Sequence, residues 1–219
     1  MSVTASGIGM TSDRTRARMI VRLRERGIRD EGVLAALAAV PRHLFVEEAL
    51  ASRAYEDTAL PLGCSQTISQ PYVVARMIEA LRAGGRELGR TLEVGAGCGY
   101  QASVLAQLTD EVYAIERIAT LIEKARLNLR KIQQFKVRLK HGDGHFGVPE
   151  AAPFASIIVA AATPQIPPVL LSQLALGGRM ILPVGSTGQH LSLIERGAEG
   201  FVETRLDDVR FVPLRSGVE

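Results

Sequence analysis

From Thr91 to Gly185 short apolar runs alternate with amphipathic stretches, and this alternation leaves the chain few architectures. "TLEVGAG" reads as a strand and Tyr100–Leu108 as a helix. "EVYAIE" reads as a strand and Ala119–Ile132 as a helix. "VRLKHG" and "ASIIVAAA" follow as strands, the second apolar enough to be buried on both faces. Pro168–Leu176 reads as a helix stopped by Gly177 and Gly178, with "RMILPVG" as the next strand. Strands separated by helices pair in parallel and carry the helices on both faces. The end of the chain departs from this pattern. "HLSLIER", "GAEG", "FVETRL" and "DVRFVPL" read as strand, turn and strand with no helix between, so the sheet should finish antiparallel. The expected fold class is α/β: a doubly wound, mostly parallel sheet with an antiparallel C-terminal strand, preceded by a helical N-terminal layer.

In that layer, residues 1–12 are small, polar and glycine-containing and read as a disordered tail. Residues 13–26 read as an arginine-rich surface helix with Ile20 and Leu23 inward, and residues 30–39 as a second helix stopped by Pro41. Residues 41–63 read as irregular or short-helical. Val74, Met77, Ile78 and Leu81 then repeat at the spacing of one helix face. Ser69 or Gln70 is placed to cap that helix, Pro71 suits its first turn, and Gly84 and Gly85 end it. The division expected is one domain over 13–219, with 13–70 as the N-terminal layer and 71–219 as the α/β core.

Composition excludes several classes. A chain of 219 residues with 47% hydrophobic and 22% charged residues reads as soluble and globular. No apolar run approaches the roughly 18 residues of a membrane span, and no signal-peptide pattern opens the chain. Net charge is +3, Trp is absent and basic residues are not interleaved with aromatics, which argues against a nucleic-acid partner. Cys64 and Cys98 fit neither metal-ligand spacing nor a disulfide framework. No metal is expected, and a cytoplasmic monomer is the simplest setting.

"LEVGAGCGYQ" carries the first chemistry. Gly95, Gly97 and Gly99 close a strand and open a helix, where glycine permits a tight turn and close approach to a ligand. Glu116 ends the next strand about 20 residues on, where a nucleotide ribose sits in such folds. Asp143 in "HGDG" follows the third strand and overhangs the same crevice; taken singly it reads as a turn residue. Glu93 stands two residues before the first glycine. A carboxylate there repels a pyrophosphate but suits an amine or sulfonium. The charge pattern therefore favours S-adenosylmethionine over a dinucleotide.

The second is "PLGCSQTISQPYVVARM", residues 61–77. From Gly63 to Tyr72 it holds no charge, yet it carries Cys64, Ser65, Gln66, Thr67, Ser69 and Gln70. Such a run suits a substrate that brings its own charge. If that substrate is a carboxylate, no general base is needed. Hydroxyls of Thr67 and Ser69, and free N–H groups in the turn opened by Pro71, can orient it without damping its attack. The plainer role for Ser69 is a helix cap. Gln66 and Gln189 are secondary candidates for substrate contact, and His43 is read as packing or binding substrate.

Taken together, "VPRHLFV", "LPLGCSQTISQPYVVARM", "LEVGAGCGYQ", "YAIER", "HGDG", "PQIPPVLLSQLALGGRMILPVG" and "VRFVPL" resemble the protein-L-isoaspartate O-methyltransferase family, over residues 14 to 217. The glycine motif is common to many methyltransferases, whereas "QTISQP" with "VPRHLFV" is much more specific. The resemblance implies a Rossmann-like fold, S-adenosylmethionine as cofactor, and isoaspartyl proteins and peptides as substrates. Methylation of their free α-carboxylate would be followed by closure to a succinimide and partial hydrolysis to aspartate. It places Ser69 at the methyl-transfer site. It puts Gly95, Gly97, Glu116 and Asp143 around the cofactor, and Glu93, Ala96, Gly99, Arg117 and Gly144 beside them are read as further cofactor contacts. Two departures stand out. Ala155 and Ser156 replace the aspartate usual at that strand start, and His145 stands where an aromatic is frequent. On the residues alone, a methyltransferase for RNA or a small molecule, or a non-catalytic adenosine-ligand sensor, stays open. A nicotinamide dehydrogenase fits the glycine spacing poorly.

Overall fold

A computed structural model describes residues 9–219. Most of the tail expected at 1–12 lies outside the described residues; Gly9–Thr11 form one 3₁₀ turn. Helices α1 (Asp13–Glu25) and α2 (Glu31–Ala39) follow. Met19, Ile20 and Leu23 of α1 are buried, as the apolar spacing requires. Asp30 caps α2 through Val33 N–H, and its other oxygen takes Arg82 Nε at 2.8 Å.

Residues 41–63 were expected to be irregular or short-helical, and Arg42–Phe45 and Glu48–Arg53 form short 3₁₀ turns. The chain then makes a hairpin that the sequence reading missed: β1 (Leu60–Gly63) pairs antiparallel with β2 (Gln66–Ile68). Its two-residue turn, Cys64–Ser65, has φ of 51° and 55°. Two positive φ values are what a type I′ hairpin turn demands, and Asn-Gly is its usual sequence. Leu60, Leu62 and Ile68 enter the core and fix the register. Helix α3 (Pro71–Arg82) follows and buries Val74, Met77, Ile78 and Leu81.

The α/β core runs β3 (Thr91–Val94), α4 (Tyr100–Leu105), β4 (Val112–Glu116), α5 (Ala119–Lys131), β5 (Val137–His141) and β6 (Phe154–Val159). It continues as α6 (Pro168–Ser172), β7 (Leu174–Val184), β8 (Gln189–Gly197) and β9 (Gly200–Val209). The sheet order is β5-β4-β3-β6-β7-β8-β9. Pairing is parallel as far as β7, and β8 and β9 add antiparallel. The expected helix over 168–176 is shorter, because the sheet claims its end. Gln173 O accepts from Phe154 N–H at 2.8 Å, and Phe154 pairs with Leu174. At the start of β6, Ser156 Oγ donates to Leu88 O at 2.8 Å, so a hydroxyl anchors the strand there.

The hairpin turn is a local strain, since left-handed backbone disfavours residues with a Cβ. Ser65 is exposed and Gly relieves the clash. Ser65→Gly should stabilise the chain by about 0.5 kcal/mol after the extra entropy of the unfolded glycine is subtracted. Thermal melting should show a rise of about 1–2 °C; a fall would mean that the serine side chain contributes more than the backbone strain costs.

Candidate active site

The chain leaves β3 for β4 on one side and returns to β6 on the other. The strand order thus reverses between β3 and β6, and the crevice beyond their carboxyl ends is where such sheets bind ligands. A cleft of about 840 Å³, counting its open mouth, lies there. Its floor is Glu93, Val94 and the loop Gly95–Cys98, and Ala160 and Ala161 face them from the end of β6. Gly97 has φ of 54°. The Glu116 carboxylate at the end of β4 accepts from Gly97 N–H at 2.9 Å and from Ile118 N–H at 3.0 Å. One side chain therefore fastens the glycine loop to the start of α5. Gly144 lines the far side; a Cβ there would sit 2.5 Å from Val94 Cγ1, so the backbone passes where no side chain fits.

Glu93 sits in β3 between Ala114 and Ile158 and is almost fully buried. Neither of its oxygens completes a hydrogen bond, and the adjacent Gln101 Nε2 is also unpartnered. Burial pushes the Glu93 carboxyl well above the usual range; Gln101 opposes this and the Glu116 charge adds to it. An unpaired buried carboxylate facing a cleft suits a cationic ligand group. The amine and sulfonium of S-adenosylmethionine meet that requirement, while a pyrophosphate does not. The neighbouring ionisable groups are quiet. Burial raises Cys98 to about 11 and Tyr100 to about 12. His43 is lowered by burial and bonds Tyr55 Oη at 2.8 Å, outside the cleft.

The uncharged hairpin closes another side. Because Ile68 points into the core, Thr67 and Ser69 on either side of it point away from the core. Gln66, Thr67 and Ser69 line the cleft. Thr67 and Ser69 also line a second groove, formed with Tyr72, Arg76, Leu191 and residues 207–212. Thr67, Ser69, Ala160 and Val212 are common to both spaces and frame the passage between them. Gln70, not Ser69, occupies the cap position of α3 and makes no side-chain capping bond. The turn opened by Pro71 is less available to an anion than expected, since Tyr72 N–H already donates to Asp57 Oδ1 at 2.9 Å.

Other expected residues are placed differently. Gly95, Ala96, Gly97, Glu116, Arg117 and Gly144 line the cleft, whereas Gly99 and Asp143 do not. Gly99 instead opens α4 with φ of 84°, and a Cβ there would sit 3.3 Å from Ala125 Cβ. Asp143 Oδ1 accepts from His145 N–H at 2.9 Å and Oδ2 from Gly217 N–H at 2.6 Å. Burial would raise this carboxyl, but the bonds from Gly217 and His145 hold it below its ordinary value. His145 turns to Asp143 at 3.0 Å rather than lining the cleft. Arg117 Nε donates to Gly217 O at 3.0 Å. Gln189 lines neither space that Ser69 faces, and its amide is spent on Phe211. The sequence reading missed Val212–Arg215, which wall the cleft from the far end of the chain. Only the apolar "VPL" run hinted at them.

The raised carboxyl of Glu93 has a consequence for stability. Its folded state holds the proton more tightly than its unfolded state. The associated stability is complete below the unfolded value of about 4.3 and is lost as pH rises toward the folded value. Without cofactor, Glu93→Gln should therefore match the parent in Tm near pH 4 and exceed it near pH 8. Melting curves at the two pH values check this. A variant that is less stable at pH 8 would show that the carboxylate is compensated there.

A family model described as protein-L-isoaspartate(D-aspartate) O-methyltransferase (PCMT) matches residues 14–219. The protein-L-isoaspartate O-methyltransferase of Dechloromonas aromatica (strain RCB) is 71% identical over 213 residues, covering 97% of this chain and 99% of that protein. The Azoarcus sp. (strain BH72) protein of the same name is 65% identical, covering 94% and 95%. Among solved structures, a protein-L-isoaspartate O-methyltransferase aligns with TM-score 0.83 and 28% identity over 93% of this chain and 67% of that one. A β-aspartate methyltransferase structure from Plasmodium falciparum, in complex with S-adenosyl-L-homocysteine, aligns with TM-score 0.78 and 25% identity over 91% and 98%. With a glycine loop held by Glu116, an uncharged hairpin beside it and a match along nearly its whole length, this chain belongs to the protein-L-isoaspartate O-methyltransferase family.

Proposed function

We infer that this chain methylates the free α-carboxylate of L-isoaspartyl residues in damaged proteins and peptides, with S-adenosylmethionine as the methyl donor. The observation that carries the reading is the passage between the two spaces, framed by Thr67, Ser69, Ala160 and Val212 with no charged side chain among them. When bound, S-adenosylmethionine supplies a methyl group on a sulfonium, which a carboxylate oxygen takes with its own lone pair while the carbon–sulfur bond breaks onto sulfur. The residues that would hold the cofactor are Glu93, the loop Gly95–Cys98, Glu116, Arg117 and Gly144. Glu93 supplies the negative partner for its cationic groups, and Glu116 keeps unused acceptor capacity for ribose hydroxyls. Asp143 would act indirectly: it holds Gly217, whose carbonyl takes Arg117 Nε, and Arg117 lines the cleft.

On the substrate side, Thr67 and Ser69 orient the carboxylate as neutral donors. A carboxylic acid of pKa roughly 3.5–4 is ionised at neutral pH, so no side chain has to remove a proton. The high values of Cys98 and Tyr100 agree with that. Positioning the reacting atoms in line is then the main task of the protein. Both cysteines are free thiols, which supports a reducing setting, and we place the chain in the cytoplasm.

The test uses labelled S-adenosylmethionine and two peptides that differ only in an isoaspartyl or aspartyl residue. A base-labile ester on the isoaspartyl peptide alone is expected; equal labelling, or none by folded protein that binds S-adenosylhomocysteine, overturns the reading. In the same assay Ser69→Ala should lower turnover more than tenfold, with cofactor affinity and Tm nearly unchanged. A collapsed Tm would instead assign Ser69 to the fold.

A further inference from the structure

After β9 ends at Val209 the chain leaves the sheet edge and crosses the mouth of the site. Two sets of bonds hold this crossing in an extended course. Gln189, the first residue of β8, donates from Nε2 to Phe211 O at 3.2 Å and accepts at Oε1 from Phe211 N–H at 2.6 Å. Gln189 is also the β-partner of Val209. Its side-chain amide therefore copies a peptide group and adds one more rung beyond the last β8–β9 pair. Next, Ala162 N–H donates to Val212 O at 2.8 Å, and Ala162 O accepts from Leu214 N–H at 2.7 Å. Residues 210–212 wall the groove beside Ser69, residues 212–215 wall the cofactor cleft, and Val212 belongs to both.

We propose that Gln189 is a positioning residue for methyl transfer: by clamping Phe211 it sets the place of Val212, and so the width of the passage through which the substrate carboxylate meets the methyl donor. Gln189 acts without touching substrate, since it lines neither space. The clamp is a single side chain, whereas the next hold is made by the backbone of Ala162. Loosening it should disturb the groove side of Val212 more than the cleft side. Substrate handling, rather than cofactor affinity, is what should change. The inference rests on the isoaspartyl reading of the site.

Two substitutions separate positioning from mere support. Gln189→Ala removes both bonds. Gln189→Glu keeps the shape; protonated, it can still donate and accept, but ionised it loses the donor and sets a negative charge against Phe211 O. The charged groups that share the cavity around this position are His190, Arg205, Asp208 and Arg210. They are present in parent and variant alike, so comparison at equal pH removes their own titration.

The experiment measures kcat and KM for the isoaspartyl peptide from pH 5 to 8, the Kd of S-adenosylhomocysteine, and hydrogen exchange at the Phe211 amide. Gln189→Ala should raise KM at least fivefold at all pH values, change the cofactor Kd less than threefold, and speed Phe211 exchange. The kcat/KM of Gln189→Glu relative to the parent should fall at least fivefold as pH rises across that range. Kinetic constants within twofold of the parent, or a relative rate for Gln189→Glu that is flat with pH, overturn the proposal. A parent chain that leaves the isoaspartyl peptide unmethylated overturns the isoaspartyl reading instead, and Phe211 exchange then still reports whether the clamp exists.

Discussion

Glu116 joins the parts of the site. Its carboxylate sits at the end of β4 and receives one N–H from the glycine loop after β3 and another from the residue before α5. Hydrogen bonds to an ionised acceptor contribute about 1.5–3 kcal/mol each. Two of them here hold the loop and the helix start in one geometry. Glycine at position 97 follows, because the loop takes φ of 54° to bring its N–H to that carboxylate. Glu116 also lines the cleft, and its oxygens, each with one N–H bond, retain lone pairs for a ligand. A residue read from the sequence as a ribose contact is thus also the fastener of the loop.

Charge is distributed across the site in a way that suits an anion attacking a cation. The one deeply buried acid on the cleft floor, Glu93, has no hydrogen-bond partner for its oxygens among the described residues. Its burial is costly until a positive group arrives, so the site gains most from a cationic ligand. At the passage, Thr67 and Ser69 offer dipoles and no charge. Two arginines of the neighbouring groove are already committed. Arg76 Nε bonds Asp207 at 2.8 Å, while Arg26 pairs with Asp57 and lies 3.7 Å from the centre of the Tyr72 ring. Arg210 also lines that groove but does not frame the passage itself. A guanidinium in the passage would bind the ground state more strongly than the transition state, in which the carboxylate charge is being neutralised.

The α/β core was legible because β3, β4 and β6 are apolar runs bounded by turn residues and α5 shows one apolar face. Elements set by tertiary pairing were not. Leu174 joins β7 although it sits in a helix-like run, because Phe154 offers it a strand partner. The Cys64–Ser65 turn has the backbone of an Asn-Gly hairpin without its residues, so its local signal is silent. Within the site, Glu93, Gly95, Ala96, Gly97, Glu116, Arg117, Gly144, Gln66, Thr67 and Ser69 meet around one space, while Gly99 serves the start of α4. Asp143 and Gln189 lie one step back, each holding a backbone segment that reaches the site.

That split has a physical origin. In-line transfer depends on where the walls of the passage stand, and here those walls are largely set by main-chain bonds. The hairpin is fixed by its own ladder, and Val212 and Leu214 by the N–H and C=O of Ala162. Any residue can supply such a bond, so it leaves no residue-type signature. A side chain becomes readable only where it does what a backbone cannot. Glu93 places a charge under the cleft, and the hydroxyl of Ser69 donates without charge. Gln189 supplies a peptide-like group where the β8–β9 ladder has run out.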